Sequence, residues 1–154
     1  MKNTVFQGNV SVEYPDDYYE MDAQEVRKFF AGDLARMGVR NVEKHTLLSV
    51  GKTKDTFLNW ITDAKSVLAG AENSLKRLTE YRLIEEFDAQ IMGKTAKGIR
   101  FSYKAKDQDV YQFCEMAVVK MKGGFYVVYC ASRLSDREEN AATFAAFRAS
   151  LKRI

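Results

Sequence analysis

The stretch between Tyr81 and Arg133 constrains the fold more than any other part of the chain. It reads as four consecutive strands, 81–92, 95–106, 110–122 and 125–133, separated by Gly93-Lys94, Asp107-Gln108-Asp109 and Gly123-Gly124. Apolar, aromatic and β-branched residues fill the runs and turn formers fill the gaps, which is the pattern of an antiparallel meander. If Gly123-Gly124 is a two-residue loop, Lys122 faces Phe125 and the side chains sort by parity onto two faces. One face then carries Ala117, Val119, Met121, Tyr126, Val128 and Cys130; the other carries Cys114, Met116, Val118, Val127 and Tyr129. Both faces are apolar. A sheet with one wet side alternates apolar and polar residues, so this one requires cover on both sides. The expected architecture is α+β: a mostly antiparallel sheet with helices on both faces, an α/β/α sandwich ending in the four-strand meander and a helix. The same register puts Cys114 and Cys130 on opposite faces, as two free buried thiols.

The remaining elements follow from period and punctuation. Residues 4–6 and 10–14 read as a hairpin through Gly8-Asn9, followed by a turn at Tyr14-Pro15-Asp16-Asp17. Asp22 stands as an N-cap, and Val26, Phe29, Phe30, Leu34 and Met37 continue at helical spacing up to Gly38. Residues 42–50, with His45 inside, read as a strand ending at the 51–55 turn. A second helical stripe runs from Phe57 and Trp60 through Ala64 and Leu68 to Leu78, and Thr62-Asp63 offers a cap within it. A last helix opens at Ser135 or Asp136, with Glu138-Glu139 at its positive end, and repeats Phe144, Phe147, Leu151 and Ile154.

With 154 residues, 46% of them hydrophobic, the chain is long enough for one self-sufficient core, and no linker or repeat divides it. A single domain over 1–154 is expected. A net charge of +3 is too small an excess to mark a nucleic-acid binder. The first residues have no signal-peptide pattern and no run is long enough to span a membrane, so a cytoplasmic location follows if Met1 is the native start.

The candidate chemical motifs dissolve on inspection. Gly51-Lys52-Thr53 and Gly93-Lys94-Thr95 resemble the end of a phosphate-binding loop, but the glycine needed five positions upstream is Thr46 in one and Asp88 in the other. His45 is the sole histidine, with no cysteine near it in sequence to complete a metal set. Glu85-Glu86 on a strand point to opposite faces and make no acid–base pair. Arg100 and Lys104 alternate with Ile99, Phe101 and Tyr103, so charges and aromatics part onto opposite faces, whereas a nucleic-acid platform needs them together. Neither a metal nor another cofactor is expected.

The early strand ending in Tyr14-Pro15, the Phe29-Phe30 helix, the Gly93 turn, the ladder Gly98-Ile99-Arg100-Phe101-Ser102-Tyr103 and the close from Gly124-Phe125-Tyr126 to the Phe144 helix form a recognisable set. With these, the chain resembles the superfamily that includes the photosystem II extrinsic protein PsbP, the yeast Ran-binding import factor and many small bacterial proteins. That resemblance implies an α/β/α sandwich used to bind other proteins, and it maps no functional residue onto this chain. The function expected is a non-enzymatic binding module for a protein or peptide; the alternative is a small-ligand or lipid-binding protein with a cleft between sheet and helix. Tyr14, Tyr18 and Tyr19, together with Phe57 and Trp60, are the candidate binding residues, because such side chains join large contact area to a polar handle.

Overall fold

A computed structural model describes residues 1–30, 32, 34–54, 61–106 and 108–154. Its centre is a seven-stranded antiparallel sheet in the order β3-β4-β5-β9-β8-β7-β6, where β3 is Tyr19–Glu20, β4 Ala35–Asn41, β5 Thr46–Lys52, β6 Arg82–Ile91, β7 Lys94–Lys104, β8 Tyr111–Met121 and β9 Gly124–Arg133. A second, three-stranded sheet joins β1 (Lys2–Phe6), β2 (Val10–Tyr14) and the short C-terminal β10 (Lys152–Arg153). The helices are α1 (Ala23–Phe29), α2 (Ala64–Leu75) and α3 (Arg137–Ser150).

Parity along the strands decides what covers each face. Ala117, Val119, Tyr126, Val128 and Cys130 enter one core with Val10 and Val12 of the small sheet and Phe144 and Phe147 of α3. Cys114, Met116, Val118, Phe125 and Val127 enter the other with Ala64 and Leu68 of α2. The double cover that two apolar faces demand is therefore present, with one addition: the N-terminal hairpin shares the first face with α3. Both thiols are free and buried, one in each core.

Four boundaries differ from the sequence expectation. The first helix does not run to Gly38; α1 ends at Phe29, Phe30 is already extended, and Gly32 takes the positive φ of 97°. Leu34 and Met37 thus lie outside it, and Ala35–Asn41 forms β4 beside β5. Residues 42–45 turn between those strands, with His45 at φ 56°, so the histidine is in a turn and not inside a strand. The β8–β9 loop is Lys122-Gly123, with Lys120 opposite Phe125. That slip of two residues preserves parity, which is why the faces sort as expected. At the other end, α3 stops at Ser150, Leu151 is its buried C-cap, and Ile154 is 74% exposed beyond β10. The helical continuation to Ile154 fails because Leu151 turns to an extended backbone and feeds β2.

Candidate functional site

The second face is larger than the helix that covers it. α2 packs over Ile99, Phe101 and Met116, but beyond them Leu47, Tyr103, Tyr129 and Ala131 continue the apolar surface toward the β4–β5 and β7–β8 turns. There the end of α1 closes over the sheet and leaves a cleft of about 380 Å³, lined by these residues, by Phe29 and Phe30, and by Arg40, His45, Gln108 and Gln112 among the polar groups.

Its inner wall is fixed by aromatic and hydrogen-bond contacts. Phe30 meets Tyr129 edge to face at 5.6 Å, and the Arg36 guanidinium stacks on the other side of Phe30 at 4.1 Å while donating to Ser49 Oγ at 3.3 Å. Arg36 lies opposite Gly51 in the β4–β5 pairing. Below the floor, Cys114 Sγ and the Tyr129 hydroxyl share a 2.8 Å hydrogen bond. Burial pushes the Cys114 thiol up to about 12 and the Tyr103 phenol likewise up to about 12. The Tyr129 phenol is raised well above its ordinary value, chiefly by burial and next by Cys114. Near neutral pH the floor is thus uncharged, and a protonated thiol is neither a nucleophile nor a metal ligand.

The outer rim is different in character. Phe29 is 46% exposed, Val42 51% and Tyr19 41%. Arg40, opposite Tyr19 in the β3–β4 pairing, lies over the Phe29 ring at 4.8 Å and within 6.0 Å of the Tyr19 centroid, and is held by Glu25 at 3.6 Å. The rim turn is pinned from below. Asn41 Nδ2 donates to Asp17 at 2.9 Å, Lys44 pairs with the same carboxylate at 3.1 Å, and Thr46 Oγ1 donates to the Tyr18 hydroxyl at 2.6 Å.

The candidate tyrosines therefore separate. Tyr14 and Tyr18 are 5% and 1% exposed and belong to the first core, so neither presents a contact face; Tyr18 instead anchors the turn. Tyr19 is exposed and stands beside Arg40, which lines the cleft, without lining it itself. Phe57 and Trp60 lie outside the described residues. The sequence reading did not find Phe29, Arg40, Tyr103 and Tyr129 as a group, because it kept Phe29 inside a longer helix; the glycine at position 32 was the available stop signal. It also passed over Glu115, a lone carboxylate in the apolar run of β8, which is 5% exposed and accepts hydrogen bonds from Arg100 Nε and Arg148 Nη1. Arg100 and Lys104 do face away from Phe101 and Tyr103, and carboxylates take them up: Glu85 and Glu115 hold Arg100, Glu80 and Asp109 hold Lys104. Among the described residues no cluster of three or more His, Cys, Asp or Glu side chains could hold a metal, and no helix is long and apolar enough to cross a membrane.

This arrangement of sheet, flanking helices and N-terminal hairpin is the PsbP/Mog1 fold. Cyanobacterial PsbP from Synechocystis sp. PCC 6803 superposes with a TM-score of 0.62 at 13% identity, over 94% of this chain and 86% of that one. LpqN of Mycobacterium tuberculosis, described as involved in cell envelope biogenesis, gives 0.58 at 13% identity over 94% and 82%. The Saccharomyces cerevisiae Ran-binding protein Mog1p gives 0.55 at 14% identity over 94% and 84%. No protein-family model and no curated sequence matches the chain.

Proposed function

We propose that this chain is a non-enzymatic binding module that recognises a protein by taking an apolar side chain of its partner into the cleft between α1 and the second face. The observation that carries the reading is the rim: Phe29 and Val42, 46% and 51% exposed, line the mouth of a concave site with an apolar floor, and the exposed Tyr19 stands next to its Arg40. Isolated exposed apolar residues are ordinary, whereas a group of them at a cleft is the surface expected of an interaction site. The fold supports the same reading, since Mog1p, which shares it, is a Ran-binding protein. Burial holds the Cys114 thiol protonated near neutral pH, which speaks against a cysteine nucleophile beneath the cleft. Two free thiols fit a reducing compartment such as the cytoplasm.

The test is a photo-crosslinking residue placed at Phe29, with a second variant carrying it at the exposed Ile154, both expressed in the native host. A protein captured from Phe29 and not from Ile154, whose purified form binds wild type and loses affinity for Phe29→Asp, supports the module. Absence of such a protein, with a small molecule retained by wild type in native mass spectrometry and lost by Phe29→Asp, overturns it in favour of a small ligand.

A further inference from the structure

The large sheet has a second open feature, the edge formed by β6. This strand ends the strand order and pairs with β7 alone, so over its 10 residues a row of backbone N–H and C=O groups faces outward without a ladder partner among the described residues. The β6–β7 register shifts between Leu83 and Glu85, which leaves Ile84 out of the pairing; Leu83 and Ile84 are 41% and 37% exposed. Ile84 stands where two concavities of the first face meet. The smaller, of about 310 Å³, is lined by Arg82, Leu83, Ile84, Ser102, Leu134 and Arg137. The larger, of about 590 Å³, runs on between β6–β8 and α3.

The charges of the two concavities are committed differently. In the larger one, Arg100 and Arg148 both bind Glu115, and Arg100 also holds Glu85 at 2.9 Å, so two cations and two carboxylates neutralise one another. The side chains of Arg82 and Arg137 form no ion pair or hydrogen bond among the described residues, and both residues are exposed. Glu138, the remaining carboxylate of the groove, lines only the larger concavity, whereas Arg137 borders both and makes no ion pair with it. The smaller one is therefore an aliphatic hollow of Leu83, Ile84 and Leu134 framed by two uncommitted guanidinium groups.

We propose that this edge is a second binding site, separate from the α1 cleft, for an extended peptide segment that carries acidic and aliphatic residues at every second position, so that both kinds share one face. The segment adds beside β6 through backbone hydrogen bonds, lays an aliphatic side chain against Ile84 and Leu134, and places carboxylates on Arg82 and Arg137. A guanidinium accepts a carboxylate in a bidentate fork, and a basic segment would meet two like charges, so the groove selects for acidity.

Fluorescence anisotropy with labelled, end-blocked peptides matched to the 10 residues of β6 tests this. One peptide repeats glutamate-serine-valine-serine, so that glutamate and valine share one face, the second has lysine for glutamate, and the third repeats the first with alternate amides N-methylated. The acidic peptide is expected to bind saturably. The lysine and N-methylated peptides, and the acidic peptide on the Arg82→Glu/Arg137→Glu variant, are each expected to bind at least about tenfold more weakly, the loss of about one charge-assisted or backbone contact. Both arginines are exposed, so the variant should melt with wild type. Phe29→Asp should bind the acidic peptide unchanged, which separates this site from the cleft. No saturable binding, or equal binding of the acidic peptide to wild type and variant, or of the N-methylated and parent peptides, overturns the proposal. So does a dimer of the free protein in sedimentation that the arginine variant dissolves, which would make a second copy of the chain the occupant.

Discussion

Glu115 and Tyr126 lie on neighbouring strands and on the same face, yet their polar groups are treated in opposite ways. Glu115 is met by two guanidinium groups, and the Phe87 ring lies under both, 3.9 Å from Arg100 and 5.1 Å from Arg148. Phe87 reaches that position because Gly98 opposite it has no side chain; a Cβ there would stand 2.5 Å from the ring. Neutralising the carboxylate strands the buried Arg148 and leaves Arg100 with Glu85 alone. Glu115→Gln should lose about 3–5 kcal/mol in denaturant unfolding, and an unchanged midpoint would show that water already shares the arginines' charge. The Tyr126 hydroxyl, by contrast, is buried with no hydrogen-bond partner among the described residues. Tyr126→Phe deletes an unpaired polar atom and keeps the ring that meets Phe6 at 6.4 Å, so it should raise stability by up to about 1 kcal/mol. A loss of stability on that change would mean that the hydroxyl has found a bound water.

α1 is the element on which the cleft depends, and it is short. A 7-residue helix is far below the length at which helices persist alone, so its ends matter. Asp22 accepts from the Glu25 amide at 2.9 Å while Glu25 accepts from the Asp22 amide at 3.3 Å, a reciprocal capping box. Asp22→Ala should cost about 1 kcal/mol globally and should speed hydrogen exchange at residues 23–29 before the rest of the chain. Uniform exchange across the molecule would show that α1 is held by its contacts with β4 and not by its cap. The same brevity explains what the sequence could not tell. Val26, Phe29, Phe30, Leu34 and Met37 fit one helical stripe as well as they fit a short helix followed by a strand, and only the backbone at Phe30 and Gly32 separates the two. The meander was legible because glycine turns and long apolar runs leave few competing arrangements, and even a register slipped by two residues keeps each side chain on its face. The cleft was not legible, since it exists only where α2 fails to reach across the second face, and that is a matter of packing between elements distant in sequence.

At the scale of the whole molecule the two cores are separable by mutation and joined by titration. Phe144 lies in the first and Phe101 in the second, both fully buried, so Phe144→Ala and Phe101→Ala should each cost about 3–5 kcal/mol. Near-wild-type melting of either would contradict its place in the sandwich. The titration runs through groups that both cores hold protonated. Burial raises Cys114 from 9.0 to about 12 and Tyr103 from 10.0 to about 12, and it raises Cys130 and Tyr129 as well. The folded chain therefore holds these protons more tightly than the unfolded chain. Their contribution is complete below pH 9, the ordinary value of the thiols, and is lost as pH rises toward the folded values, about 12 for Cys114 and Tyr103. Each group ionised only in the unfolded chain steepens the loss by about 1.4 kcal/mol per pH unit. Melting temperature should accordingly respond little to these groups up to pH 9 and fall above it, and Cys114→Ala should soften the fall by removing one titrating group. At pH 8 both thiols should resist a thiol-specific reagent in the native protein and react once guanidinium unfolds it, because reaction requires a thiolate that the cores forbid. Prompt native labelling at Cys114 would mean that the cleft opens down to its floor, and the fall in stability above pH 9 should then be shallower in the same measurement.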